Sequence, residues 1–170
     1  IAAIAPEQDA RGSGYNVIQS MIAVGSGGWF GKGMGNGSQS QLFFLPERHT
    51  DFIFASLAES LGVVGSVAVL MLYGILLFGI AYVAVLSTDS YGFLVAAGVF
   101  AMLCVQVLIN IGMNIGVVPV TGIPLPFLSY GGSSLLTTAV AIGIVANIAF
   151  QQGGVSRYTS SLSLDERPRE

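Results

Sequence analysis

The chain has 170 residues, of which 53% are hydrophobic and only 9% charged, with a formal net charge of −3. Soluble domains carry about 25% charged residues, so this composition excludes an ordinary soluble fold and points to the membrane. It offers no basic patch for nucleic acid, and the single Cys104 and single His49 give no intramolecular disulfide, no metal-ligand spacing and no Ser-His-Asp arrangement.

Residues 1–51 read as a long Gly-rich loop region. Within it YNVIQSMIAV (15–24) predicts a short interfacial helix, with Trp29 and Phe30 as anchors at the membrane surface. GSGGWFGKGMGNGSQ (25–39) resembles a phosphate loop only superficially. Ser26 stands where the first Gly is required, and Gly33 rather than Ser or Thr follows Lys32. Two readings stay open: a flexible, tightly turning loop, or backbone N–H groups and Lys32 set against an anionic head group. Asn36-Gly37-Ser38 matches a glycosylation sequon by a pattern too short to carry weight.

The stretch PERHTDFIF (46–54) concentrates charge at the lip of an apolar run. If a helix starts at or before Pro46, Glu47 and Asp51 share one face. If it starts later, Thr50 or Asp51 is its N-cap and Glu47 lies in the loop. Asp51 is then either a cap that offsets the helix dipole or a general base for a lipid-borne substrate at the membrane edge.

Three spans follow, at about 52–86, 92–116 and 131–151. Each has the roughly 20 apolar residues that a helix needs to cross a bilayer. Helices satisfy their own backbone in lipid, so the expected fold is all-α, a polytopic transmembrane helix bundle. In the middle span Gln106, Asn110 and Asn114 recur every four residues and put three amides on one face. They either bond neighbouring helices or line a polar cavity. Gly112 and Gly116 form a GxxxG pair suited to close helix packing. The loop 117–130 has three prolines, cannot be regular helix, and is too apolar for a solvated loop, so it is placed at the interface.

Residues 153–170 read as a disordered tail. The tail holds Arg157, Arg167 and Arg169 of the six basic residues, which puts it in the cytoplasm and the 1–51 and 117–130 segments outside. The chain starts with Ile rather than Met and reads as the C-terminal part of a longer protein.

Two long motifs, GYNVIQS…GSGGWFGKGMGNGSQSQLFFLPERHTDFIFASLAESLGVVG and NIGMNIGVVPVTGIPLPFLSYGGSS, resemble the SEDS family (shape, elongation, division and sporulation). The wording of GYNVIQS and GSQSQLFFLPERHTDF resembles its RodA branch more than FtsW, and the likeness covers residues 11–150. One departure is Glu59-Ser60, where family members often have Glu-Glu. The resemblance implies a peptidoglycan glycosyltransferase of the bacterial inner membrane that polymerises lipid II for cell elongation and shape. It also implies a class B penicillin-binding protein, a transpeptidase, as partner.

By the same resemblance the Asp of the His-Thr-Asp-Phe motif falls on Asp51, expected to be essential as catalytic base, with Glu47 a second candidate. The Ser-Tyr-Gly-Gly-Ser motif makes Ser129, Tyr130 and Ser133 candidate substrate contacts, alongside Gln106, Asn110 and Asn114. Lys32 and Arg48 are the expected partners of the diphosphate leaving group. A divalent cation is the one cofactor left open. Alternative readings are a lipid II flippase or transporter, favoured by intramembrane amides beside a broken Pro-rich segment, and a scaffold for cell-wall assembly without chemistry of its own.

Overall fold

The computed structural model describes residues 13–33 and 51–165, and side chains over 17–33 and 51–151. The described residues form four α-helices: α1 (Ser13–Ser26), α2 (Ile53–Leu86), α3 (Ser90–Asn114) and α4 (Gly132–Asp165). Three of them are long and apolar enough to cross a membrane, over Ile53–Leu86, Ser90–Asn114 and Gly132–Gln151. The predicted all-α membrane bundle is therefore the fold. The short helix predicted at 15–24 is α1. It lies against α2 and α3, with Ala23 and Ser20 fully buried. The sequon at Asn36 lies outside the described residues.

The long helices alternate in direction. The start of α2, the end of α3 and the start of α4 share one end of the bundle; the end of α2, the start of α3 and Gln151 share the other. Ile80 and Ala84 of α2, Ala96 and Leu103 of α3, and Val145 of α4 form one buried cluster. A second cluster joins Phe54 and Tyr73 of α2, Val107 of α3 and Leu125 of the Pro-rich loop. That loop is thus part of the core at its end of the bundle. Leu72, Ile75 and Phe78 of α2 point outward and are more than half exposed, as suits a surface meeting lipid or further protein.

α2 departs from the uniform helix expected over 52–86. Gly62 has φ 68° and ψ −163°, a backbone conformation open essentially only to glycine. Such a break frees two carbonyls and two N–H groups, each costing several kcal/mol if left bare in lipid. The glycine-rich segment before it supplies all four partners. Lys32 N and Gly33 N donate to the carbonyls of Glu59 and Ser60 at 3.0 and 3.1 Å. Val63 N and Val64 N donate to Gly28 O and Trp29 O at 2.9 and 3.2 Å.

This pairing overturns the flexible-loop reading for residues 27–33 and, for Lys32 and Gly33, the backbone half of the anion-binding one. The segment is pinned along α2 rather than free, and the N–H groups of Lys32 and Gly33 are spent on carbonyls rather than offered to an anion. The glycines are needed because the backbones touch: a Cβ on Gly31 would collide with Ser60 O, and one on Gly27 with Ala58 O. Trp29 and Phe30 stand out from this clamp, 74% and 85% exposed.

The GxxxG pair also has a different use from the one expected. Gly116 lies beyond the end of α3 with φ 77°; its N–H bonds Met113 O at 3.2 Å, and Val117 N bonds Gly112 O at 2.8 Å. This is the Schellman pattern, in which a left-handed glycine stops a helix and satisfies its last carbonyls. A Cβ on Gly112 would stand 2.8 Å from Val118 Cγ2, so that glycine makes room for the chain folding back rather than for a second helix.

α4 runs to Asp165, past the end expected near 151, so the expected disordered tail is helical as far as that residue. Beyond the bilayer a helix still satisfies its own backbone, and no apolar side chains are required for it to continue.

Candidate active site

Asp51 sits two residues before α2, where the Pro-rich loop, the end of α3 and the start of α2 meet. The N-cap is Phe52, with no side-chain capping hydrogen bond. The helix therefore starts after Pro46, as the second reading has it, but its N-cap is Phe52 rather than Thr50 or Asp51, and the capping reading of Asp51 is corrected. The cap comes from another helix: Asn114 Oδ1 accepts from Ala55 N at 3.2 Å. Ala55 is the third residue of α2, one of the N–H groups that a local N-cap side chain would normally satisfy. With that task done from α3, the Asp51 carboxylate has no need to fold back onto its own helix.

Asn110 and Asn114 are fully buried. Their Nδ2 atoms both donate to the Asp51 carbonyl, at 3.1 and 3.2 Å. Asn110 Nδ2 also donates to Ile123 O at 2.8 Å, and Asn114 Nδ2 to Asn110 O at 2.8 Å. Ser20 Oγ of α1 donates to Asn114 O at 3.1 Å. One amide pair therefore ties α1, the start of α2, the end of α3 and the Pro-rich loop together. Of the two roles left open for the amide face, Asn110 and Asn114 take the bonding one. They fix the backbone of Asp51 rather than line a cavity.

Gln106, one turn earlier in α3, differs. It is half-buried and lines a cavity of about 260 Å³ with Pro124, Pro126, Ser133 and Thr137. The same face thus carries both behaviours, split by depth. Ser133 and Tyr130 are exposed, while Ser129 is buried and its Oγ accepts from Leu125 N at 2.7 Å, closing a turn in the loop. Lys32 is exposed and lies beside Glu59, whose carbonyl takes its backbone N–H. Glu47 and Arg48 lie outside the described residues.

Three contributors escaped sequence reasoning. Gly122 of the Pro-rich loop, with φ 68°, faces the carboxylate: a Cβ there would stand 3.6 Å from Asp51 Oδ2. Its signal was a glycine between two prolines, Pro119 and Pro124. The Tyr73 hydroxyl, on a membrane helix, donates to Pro126 O and holds the loop against α2. A lone phenol in an apolar span was the available hint. Glu59 is fully buried at the helix break. A carboxylate inside a membrane helix is itself a signal of function or of a built-in partner.

Among the described residues no three His, Cys, Asp or Glu side chains come together as a metal-binding group.

The interlock makes one stability prediction. Replacing Asn114 by Leu keeps the volume but removes the cap of α2 and a donor to Asp51 O. It is expected to lower stability of the full-length protein by about 1–3 kcal/mol. Thermal unfolding in detergent measures this, and an unchanged midpoint would show that the amide bonds are dispensable.

Residues 1–153 match the model of the FtsW/RodA/SpoVE family, described as cell cycle protein. Escherichia coli peptidoglycan glycosyltransferase MrdB is 52% identical over 143 residues, which are 84% of this chain and 39% of that protein. Bacillus subtilis stage V sporulation protein E is 49% identical over 144 residues, 85% of this chain and 39% of the relative. Among solved structures, a chain reported under structural coordination of polymerization and crosslinking by a peptidoglycan synthase complex has a TM-score of 0.74 and 33% identity. It covers 89% of this chain and 40% of its own length. A mutant of Thermus thermophilus rod shape determining protein RodA has a TM-score of 0.60 and 38% identity, over 78% of this chain and 40% of that one. The chain thus spans 39% of the length of these E. coli and B. subtilis relatives. With the match running through both motifs, the three membrane helices and the asparagine-held Asp51, this chain belongs to the FtsW/RodA/SpoVE family of cell cycle proteins.

Proposed function

We propose that the full-length protein is a peptidoglycan glycosyltransferase that polymerises lipid II, and that this chain carries its catalytic carboxylate. The observation that carries the reading is Asp51: its backbone is clamped by Asn110 and Asn114, its helix is capped by another residue, and its carboxylate faces Gly122 at the end of the spans. A polyprenyl tail stays in the bilayer while its sugars stand in water, so the reactive group must wait at that boundary. Relatives named as peptidoglycan glycosyltransferases support the same activity.

In this mechanism the acceptor sugar hydroxyl gives its proton to Asp51 as its oxygen attacks the anomeric carbon of the donor. The bond from that carbon to the diphosphate breaks, and the diphosphate leaves with the electron pair. A single displacement turns the α-linked donor into a β-linked product. Diphosphate needs charge stabilisation more than protonation, the role proposed for Lys32 and Arg48. Glu47 is the second acidic candidate. Gln106, Tyr130 and Ser133 are proposed as the sugar- and lipid-facing polar groups. Ser129, Asn110 and Asn114 act on the substrate through the loop and backbone that they hold.

The proposed setting is the bacterial inner membrane with the C-terminus in the cytoplasm, and the proposed partner is a class B penicillin-binding protein. The likeness to a synthase complex that couples polymerization to crosslinking supports a transpeptidase beside this protein. The test is reconstitution of the full-length protein with a transpeptidase-inactive partner and labelled lipid II. Glycan polymer is the expected product. Lipid movement between leaflets with no polymer would instead make it a flippase, and neither would leave a scaffold.

A further inference from the structure

At the end of the bundle opposite Asp51, the 87–89 turn, the start of α3 and the last turn of the α4 span line a second, open cavity of about 300 Å³. That is the lower end of the roughly 300–1,000 Å³ typical of small-molecule sites. Its polar lining comes from Ser87, Thr88, Asp89, Asn147 and Gln151, and its apolar wall includes Val95 and Ile144. Nothing in the reaction at Asp51 uses it.

The cavity is built into the packing. Gly92 is buried, and a Cβ there would stand 2.6 Å from Ser87 Oγ and 3.2 Å from Ile148 Cγ2, so this glycine lets α4 close on α3 beside the turn. Ser87 Oγ donates to Asp89 O at 3.1 Å and shapes that turn. Asp89 occupies the N-cap of α3, yet its side chain makes no capping hydrogen bond. It is the one charged side chain among the lining residues.

We propose that this cavity binds the head group of an amine-bearing phospholipid. The ammonium pairs with the Asp89 carboxylate. The phosphate oxygens accept from the Thr88 hydroxyl and from the amides of Asn147 and Gln151. The three spans end here at Leu86, Ser90 and Gln151, so the cavity sits at head-group level, and Tyr91, 74% exposed, adds an aromatic ring where such rings favour the interface. Val95 and Ile144 lead from the cavity down the α3 and α4 faces, the path that acyl chains would take. A head group without a cation finds an uncompensated carboxylate instead, which sets the selectivity.

Native mass spectrometry of the full-length protein in micelles doped with dioleoylphosphatidylethanolamine or dioleoylphosphatidylglycerol tests this without reference to catalysis. The expected result is retention of the ethanolamine lipid over the glycerol lipid, reduced about tenfold in Asp89→Asn, the loss of one charge-assisted contact. Asn147→Leu, which fills the cavity with an apolar side chain, is expected to reduce it too, with the thermal midpoint of both variants unchanged. Equal retention of the two lipids, or wild-type selectivity in both variants, would overturn the proposal. So would displacement of the lipid by an equal concentration of soluble phosphoethanolamine, which would assign the cavity to a soluble ligand.

Discussion

Asp51→Asn in the full-length protein is expected to cut polymer formation from lipid II by about 10²–10⁴-fold, the usual worth of a positioned general base. At 1.36 kcal/mol per decade this is about 2.7–5.4 kcal/mol of transition-state stabilisation. The substitution is close to isosteric and leaves the backbone carbonyl untouched, so both asparagine bonds to Asp51 O persist. The helix start also persists, because its cap is Asn114 and not the residue replaced. The thermal midpoint should therefore match wild type, which separates lost chemistry from lost folding. The loss should appear in kcat rather than KM, since a base acts in the transition state. Asp51→Glu is expected to recover little, because the extra methylene shifts the carboxylate from the position in which a base must stand within hydrogen-bond reach of the proton that it takes. Polymer formation by Asp51→Asn within about threefold of wild type would remove this carboxylate from the role of base, whose loss costs at least about a hundredfold.

The features legible in the sequence were those with long-range redundancy. Three uncharged runs specify three spans because lipid tolerates little else. The four-residue spacing of Gln106, Asn110 and Asn114 specifies a shared face because a helix has 3.6 residues per turn. What that face does was not legible, since the partners of Asn110 and Asn114 lie 59 and 63 residues back at Asp51. The same distance hid the cap: any local rule assigns the N-terminus of α2 to Thr50 or Asp51, and Asn114 takes the task from across the bundle. Glycine is the other case. Gly62 stands in a run of apolar residues that reads as unbroken helix, and Gly112 and Gly116 match a packing motif. Their actual uses, a break and a stop, depend on φ, which glycine identity permits but does not specify.

Gly62→Val is expected to be the most destabilising single change outside the site, at about 3 kcal/mol or more, because two penalties coincide. The first is conformational: φ 68° with ψ −163° is strained for any side chain and most of all for a β-branched one. The second is steric: a Cβ at this position would meet Gly31 N, Trp29 O and Gly28 O, all backbone atoms that cannot rotate away. Relief requires either a continuous helix at this position or withdrawal of the 28–33 segment. A continuous helix re-forms the bonds of Val63 and Val64 within α2 and abandons those to Gly28 and Trp29; withdrawal strips Glu59 O and Ser60 O of their donors. Either way the segment carrying Trp29, Phe30 and Lys32 detaches from the helix that leads back to Asp51. Thermal unfolding of the detergent-solubilised protein measures the first consequence, and hydrogen exchange at Lys32, Gly33, Val63 and Val64 the second. Gly62→Ala should fall between wild type and Gly62→Val, since it meets the same backbone atoms without branching. A Gly62→Val protein with the wild-type midpoint and protected amides at all four residues would show that α2 is not broken there.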